Sequence, residues 1–362
     1  MIKQNWTTQE ILDIYNLPFS ELLYRAATVH REHHDPNKVQ VSSLISVKTG
    51  GCPEDCGYCP QAARYHTEVK IHGLLPVDEV KKQAMNAKEN GISRVCLGAA
   101  WRNVKDGPEF EQVLDMVREV TKMDMEVCCT LGMLTENQAK RLEEAGLYAY
   151  NHNIDSSEEY YKEVISTRAF EDRLETIGNV RKTSITLCSG GIIGMGEKIE
   201  DRCGMLKTLA NMTPQPESVP INALVAVEGT PLEDEKPVNI FEFVRMVATA
   251  RIVLPKTQVR LSAGRTGLSP EGQALCFFAG ANSIFAGDKL LTTPNPEVNE
   301  DRKLFEQLGI VPQAPFEKHA KREVVEKENS QYQPLGENPK WTRPQHIIAR
   351  NEAAKQKSKD LK

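Results

Sequence analysis

From about residue 38 to residue 293 the chain alternates short β-prone runs with amphipathic helical stretches. The strand candidates are Val39–Ser46, Ser93–Leu97, Met125–Leu131, Leu147–Asn151, Ser184–Cys188, Val219–Leu224, Gln258–Ser262 and Asn282–Phe285. The helix candidates between them are Pro76–Asn90, Glu109–Lys122, Thr135–Ala145, Phe170–Lys182, Glu200–Met212, Phe241–Leu254 and Pro270–Ala279. Several of these start after Thr, Ser or Pro or end near Gly, as capped helices do. Eight such alternations are what a parallel (β/α)8 barrel of the TIM type requires, and a doubly wound open sheet is the competing arrangement. Thr7–His34 reads as helices packed ahead of the first strand. The expected organisation is therefore an N-terminal helical segment (1–37), a barrel (38–314) and a polar C-terminal extension (315–362). The extension is rich in Lys, Glu, Gln and Asn and poor in core-forming residues, so it reads as solvated.

Composition removes several classes of function. A formal net charge of −5 gives no global basic field, so nucleic acid is not an expected partner. No run approaches the roughly 18 apolar residues of a membrane span, and Met1–Trp6 leads into a polar stretch with no signal-peptide core. The nine cysteines are then expected in a reducing cytoplasm, where metal or catalytic roles outweigh disulfides.

The sharpest local motif is Cys52-Pro-Glu-Asp-Cys56-Gly-Tyr-Cys59. Three thiolates on one Gly- and Pro-bearing loop can wrap a soft metal centre. A structural zinc site takes four ligands, and no fourth Cys or His stands at zinc-finger spacing. His66 and His72 follow a charged segment and are expected to face solvent. An electron-transfer cluster also takes four cysteines, so three on a cubane leave one iron open for chemistry.

A second signal is positional. In a barrel, chemistry collects at the C-terminal ends of the strands. Strand two carries Cys96, strand three Cys128, and strand four ends Tyr150-Asn-His-Asn-Ile-Asp155. Strand five ends at Cys188-Ser-Gly-Gly191, strand six carries Asn222, strand seven Arg260, and strand eight leads to Thr292 and Thr293. One buried cysteine is usually a small hydrophobe. Three at strand ends, with an arginine, could hold a second, smaller cluster inside the barrel. Arg260 is either a ligand or a counter-charge, since guanidinium offers no free lone pair. Of the adjacent Cys128 and Cys129, only one can enter the barrel. Cys203 and Cys276 fall in helical stretches and read as packing residues.

The Cys-x3-Cys-x-aromatic-Cys spacing, with Tyr58 as the aromatic residue, resembles the radical S-adenosylmethionine (SAM) superfamily. Together with Cys96-Leu-Gly-Ala-Ala-Trp101, Cys128-Cys-Thr-Leu-Gly132, Tyr150–Asp155, Cys188-Ser-Gly-Gly, Pro220-Ile-Asn222, Val259–Arg265 and Leu291–Pro296, it resembles the biotin synthase family from about His30 to Pro312. That resemblance implies a radical SAM sulfurtransferase joining sulfur to C6 and C9 of dethiobiotin, with the small cluster as sulfur donor. It implies that Cys52, Cys56 and Cys59 hold a [4Fe–4S] cluster, and that Cys96, Cys128, Cys188 and Arg260 hold a [2Fe–2S] cluster. The family pattern selects Cys128 and leaves Cys129 outside. It further implies SAM contacts from Asn153, Asp155 and Arg173, with Tyr58, Ile192 and Val225 around the adenine. The Gly190–Glu197 segment fits the superfamily's glycine-bearing SAM motif. Dethiobiotin would meet Asn151, Asn153, Asn222, Thr292 and Thr293. A homodimer and a flavodoxin-type or ferredoxin-type electron donor are also implied. The alternatives are another radical SAM enzyme of similar build, such as a hydrogenase maturase, or a non-catalytic iron–sulfur electron carrier.

Overall fold

The structure, a computed structural model, describes residues 2–287, 289–319, 321 and 324. Its strands are β1 (Lys38–Lys48), β2 (Arg94–Ala99), β3 (Glu126–Thr130), β4 (Ala149–Asn151), β5 (Thr186–Cys188), β6 (Gly191–Ile193), β7 (Ser218–Ala223), β8 (Gln258–Leu261), β9 (Ser283–Phe285) and β10 (Val311–Pro312). Their spatial order follows chain order, and the recorded strand pairings are parallel. β1 pairs with β2 on one side and β9 on the other, which closes the ring. The short β6 prolongs the course of β5 along β7, so the two share one of eight positions. The closed ring is the (β/α)8 barrel and excludes the open doubly wound sheet, which would leave two edges unpaired.

Side-chain alternation along these strands is unusually informative. Val39, Val41, Val95, Leu97, Val127, Cys129, Leu187, Val219, Ile221, Val259 and Leu261 belong to the main apolar core. The residues between them are Gln40, Ser42, Arg94, Cys96, Glu126, Cys128, Thr186, Cys188, Ser218, Gln258 and Arg260, and they are buried too. Neighbouring residues on a strand point to opposite faces, so the apolar set faces the helices and the polar and thiol set fills the barrel. A barrel interior is ordinarily packed with Val, Ile and Leu. Burying so many polar groups is tolerated only where they are paired or serve a site.

The outer layer forms for local reasons. Thr7 and Thr135 cap their helices with reciprocal Glu10 and Gln138 contacts. The leading helices Thr8–Tyr15 and Phe19–His33 pack on Ile199–Ala210 and Ile240–Val253, with the Phe19 and Phe241 rings edge-to-face at 5.4 Å. Cys203 and Cys276 are buried in helices, as packing residues should be. Two helices have no counterpart in the sequence reading. Glu158–Val164 is too short for a periodic signal, and Val298–Leu308 lies beyond the eighth strand. Among the described residues, no helix is long and apolar enough to cross a membrane.

The start of the C-terminal extension is largely exposed but is tied to the barrel. Phe316 N–H donates to Glu126 Oε1 at 2.8 Å, and the Phe316 ring meets Tyr148 edge-on at 5.5 Å. Lys38 and Glu317 pair at 2.8 Å. These contacts place residues 316–319 across the N-terminal end of the barrel. Most of the expected extension lies outside the described residues.

Candidate active site

The cysteine loop follows β1 at the C-terminal end of the barrel. Two buried carboxylates inside the motif fix its shape. Asp55 accepts from the backbone N–H groups of Ser166 and Thr167 at 2.9 and 3.0 Å and from the Ser166 hydroxyl, while Glu54 accepts from the Thr167 hydroxyl. Gly57 N–H donates to Val164 O at 2.9 Å, and Cys52 is pinned to Gln61 and Ala63 through backbone bonds of 3.0 and 2.8 Å. Burial raises the thiol pKa of all three cysteines, Cys59 to about 11. Neutral thiols become ligands by releasing protons to a metal centre. His66 is exposed, and His72 contacts Thr49 and Gly73 rather than the loop's thiols.

Cys52, Cys56 and Cys59 border a cavity of about 190 Å³ with Asn153, Asp155, Arg168 and Arg173. Arg168 Nη2 lies 4.0 Å from Cys56 Sγ, and its buried Nε has no partner. An unpaired cationic donor beside three thiols fits an anionic cluster or a carboxylate bound next to it. Three thiols on one loop are the number that lets a cubane keep one iron without a protein ligand. Asp155 pairs with Arg173, whose Nε donates to Tyr161 at 2.9 Å. Asp155 also holds a left-handed backbone, φ 67°, which is uncommon outside glycine and is tolerated best by Asn and Asp. Its N–H is bonded to Gly190 O and its C=O to Ile192 N–H, which aims the residue into the cavity.

Gly190 is required by close approach. A Cβ there would stand 2.0 Å from Pro220 O, and its N–H donates to Asn153 Oδ1 at 3.1 Å. Gly190→Ala is expected to lower unfolding stability by about 1–3 kcal/mol, the cost of overpacking. An unchanged urea midpoint would show that the turn relaxes freely.

Deeper in the barrel, Cys96 and Cys128 are register partners on β2 and β3, and both belong to a small interior cluster with Ala149 and Phe285. Cys129 sits in the outer core instead, so alternation and the family pattern agree on Cys128. The neighbouring Cys128 thiol, with Arg260 and Arg94 nearby, lowers the Cys96 thiol pKa, while Cys128 is raised by Cys96 and by burial. Arg260 Nη1 lies 3.8 Å from Cys188 Sγ. Its other nitrogens donate to Ser283 Oγ and Gln40 Oε1, both at 2.8 Å. Three thiols and one oriented guanidinium thus share one level of the barrel, which fits a small anionic cluster.

Above that level lies a cavity of about 210 Å³. Cys59 and Tyr58 border it from the loop, Cys96 and Arg260 from below, and Ile192, Val225, Thr292 and Thr293 from the sides. The three asparagines differ in what they have left to offer. Asn222 Nδ2 donates to Gly191 O at 2.9 Å, and its Oδ1 accepts from Ala263 N–H at 3.1 Å. Asn153 Oδ1 is bonded to Gly190. Asn151 Nδ2 donates to Thr130 Oγ1 at 3.1 Å, and its buried Oδ1 has no partner. Asn222 therefore uses both ends of its amide to tie loops together, Asn153 uses its oxygen for that, and Asn151 keeps an unpaired acceptor at the cavity.

The sequence reading missed Arg168, the Glu54–Asp55 clamp with Ser166 and Thr167, and the Gln40–Ser283 support of Arg260. The Pro-Glu-Asp insert between two cysteines was the available signal for the clamp. The others come from distant segments with no motif of their own.

Residues 46–209 match the Radical SAM superfamily and residues 220–311 the Biotin and Thiamin Synthesis associated domain. Biotin synthase of Flavobacterium johnsoniae is 72% identical over 357 residues, covering 99% of this chain and 98% of the relative. Biotin synthase of Nostoc punctiforme is 58% identical over 324 residues, covering 88% and 97%. Among solved structures, methylornithine synthase superposes with a TM-score of 0.71 at 19% identity, covering 86% of this chain and 95% of that one. The hydrogenase maturase HydG of Carboxydothermus hydrogenoformans gives 0.71 at 17%, covering 85% and 76%. At such identities these two likenesses speak for the barrel alone.

Proposed function

The chain belongs to the biotin synthase family, and from that premise we propose which of its residues carry each part of the reaction. The enzyme is a radical SAM sulfurtransferase that converts dethiobiotin to biotin with a [4Fe–4S] cluster, SAM and a [2Fe–2S] cluster. When bound, the larger cluster supplies the electron that splits SAM into methionine and a 5′-deoxyadenosyl radical, and the smaller one supplies sulfur.

Cys52, Cys56 and Cys59 hold the first cluster, and Cys96, Cys128, Cys188 and Arg260 hold the second. The observation that carries this reading is that one cavity has Cys59 at one end and Cys96 and Arg260 at the other. A substrate between them is in reach of both. An electron carrier has no use for such an enclosed space, which disfavours that alternative. Arg173 and Arg168 bring positive charge to the SAM end, and Asp155 presents a carboxylate suited to ribose hydroxyls. Tyr58, Ile192 and Val225 offer apolar surface to an adenine ring. Asn151 Oδ1 accepts from a ureido N–H, and Thr292 and Thr293 offer hydroxyls to a carboxylate. Asn222 and Asn153 keep that mouth in shape. With SAM and both clusters bound, hydrogen would be taken from C9 and C6 of dethiobiotin, and the cavity walls would limit the access of water to it. A homodimer, a cytoplasmic location and a flavodoxin-type or ferredoxin-type donor belong to this reading.

Anaerobic iron and sulfide content with an optical spectrum tests it, because two cluster types must be present together. A protein with one cluster type and full activity would refute the ligand assignment. Asn151→Ala is expected to weaken dethiobiotin by about 0.5–1.5 kcal/mol, one neutral hydrogen bond. Unchanged affinity by titration would remove Asn151 from the substrate.

A further inference from the structure

The barrel has a further cavity at its opposite, N-terminal end, of about 270 Å³. Its inner wall includes Cys188, Ala149 and Thr186, and its outer rim includes Gln215, Lys256 and Lys318. The substrate cavity touches Cys96 and Arg260 but not Cys188, and this one touches Cys188 but neither of those. The small-cluster ligands therefore form a floor between two cavities. Some of the polar atoms that border the lower cavity have no hydrogen-bond partner. Gln258 is 5% exposed, and its Oε1 has no partner; nor has Gln215 Oε1. Orphaned acceptors around a cavity of this size call for water or another small polar species.

Residues 316–319 lie across the same end. Phe316 is held by Glu126 and Tyr148, both of which border the cavity. Phe316 itself carries a left-handed φ of 58°, a conformation that non-glycine residues rarely adopt. A strained residue followed by the exposed residues 317–319 marks a segment that opens at low cost.

We propose that the lower cavity is the passage by which iron and sulfide reach the small-cluster site, with residues 316–319 as its cover. This rests on the reading that Cys96, Cys128, Cys188 and Arg260 hold that cluster. The passage explains how a site that surrenders sulfur toward the substrate can be resupplied without emptying the substrate cavity. Iron enters as ferric ion and sulfur as sulfide, so loading needs no change of oxidation state. The protons leave with the cysteine thiols' deprotonation, to bulk water through the same opening.

The test uses the full chain freed of clusters and reloaded anaerobically with ⁵⁷Fe-enriched ferric citrate, sodium sulfide and dithiothreitol, the thiol supplying the two electrons that each cubane needs. Mössbauer spectra at successive times count the two cluster types separately. The triple variant Phe316→Ala, Lys318→Ala, His319→Ala is expected to load the small cluster several-fold faster than the unaltered chain. Gln258→Phe, which fills the cavity, is expected to load it several-fold slower. Cubane loading at the other end should keep its rate in both, which also reports that the barrel is folded. Saturating dethiobiotin should leave small-cluster loading in the unaltered chain unchanged. Equal small-cluster rates in all three proteins overturn the passage, and so does a rate that falls with dethiobiotin, which would put the entrance at the upper mouth. An unaltered chain that loads the cubane and never the small cluster overturns the ligand assignment itself.

Discussion

Cys56→Ala is expected to produce no 5′-deoxyadenosine above background when reconstituted and reduced anaerobically with SAM. Cys56 is the most enclosed thiol of the loop, 6% exposed, and the one that Arg168 approaches. Its loss leaves two thiolates where a cubane with one open iron needs three. The loop itself should keep its shape, because Asp55 and Glu54 rather than Cys56 carry the bonds to Ser166 and Thr167. The variant should therefore still fold and still hold a small cluster, so the lost activity is attributable to the first cluster. Cleavage of SAM at the unaltered rate would show that Cys52 and Cys59 suffice or that another group substitutes.

Cys188→Ala is expected to separate the two halves of the reaction. The loop proposed to hold the first cluster does not include Cys188, so that cluster should survive and SAM cleavage continue, if slowly. Biotin should not form. Arg260 keeps its bonds to Gln40 and Ser283 but loses the thiol 3.8 Å away. A carbon radical on bound dethiobiotin then has no sulfur within contact, and proximity of that kind is worth about 7–11 kcal/mol of a barrier. In the unaltered enzyme, loading the small cluster with isotopically labelled sulfide should place the label in biotin. Unlabelled biotin formed while the labelled cluster stays intact would end the sulfur-donor role and leave that cluster a structural or electron-transfer part.

The two variants differ because their cysteines differ in how they were legible. Cys52, Cys56 and Cys59 are close in the chain, and their spacing alone announces a shared metal centre. Cys96, Cys128 and Cys188 are united only by their place at the ends of three strands. That place could be read because strand and helix periods are local properties of the chain. The eight strand candidates lie within two residues of β1–β5 and β7–β9 at every boundary. The short β6, the helix Glu158–Val164 and the helix Val298–Leu308 were missed because each is too short or too far from the repeating pattern to register.

Hydrogen-bond partnership was not legible at all. Asn151, Asn153 and Asn222 look alike in sequence, each an amide at a strand end. Asn222 spends both ends of its amide on Gly191 and Ala263, Asn153 spends its oxygen on Gly190, and only Asn151 keeps a buried acceptor unpaired. Arg168 and Arg260 likewise acquire their meaning from Cys56, Gln40 and Cys188, which are 72 to 220 residues away. The cavity at the N-terminal end exists only because the ring closes and residues 316–319 return across it. Periodicity and motif spacing are set by neighbours in the chain, so the sequence by itself determined the barrel, the first cluster loop and the choice of family. Which polar atom is satisfied, and which faces a cavity, depends on segments brought together by closure of β1 on β9, and only the tertiary structure decided it.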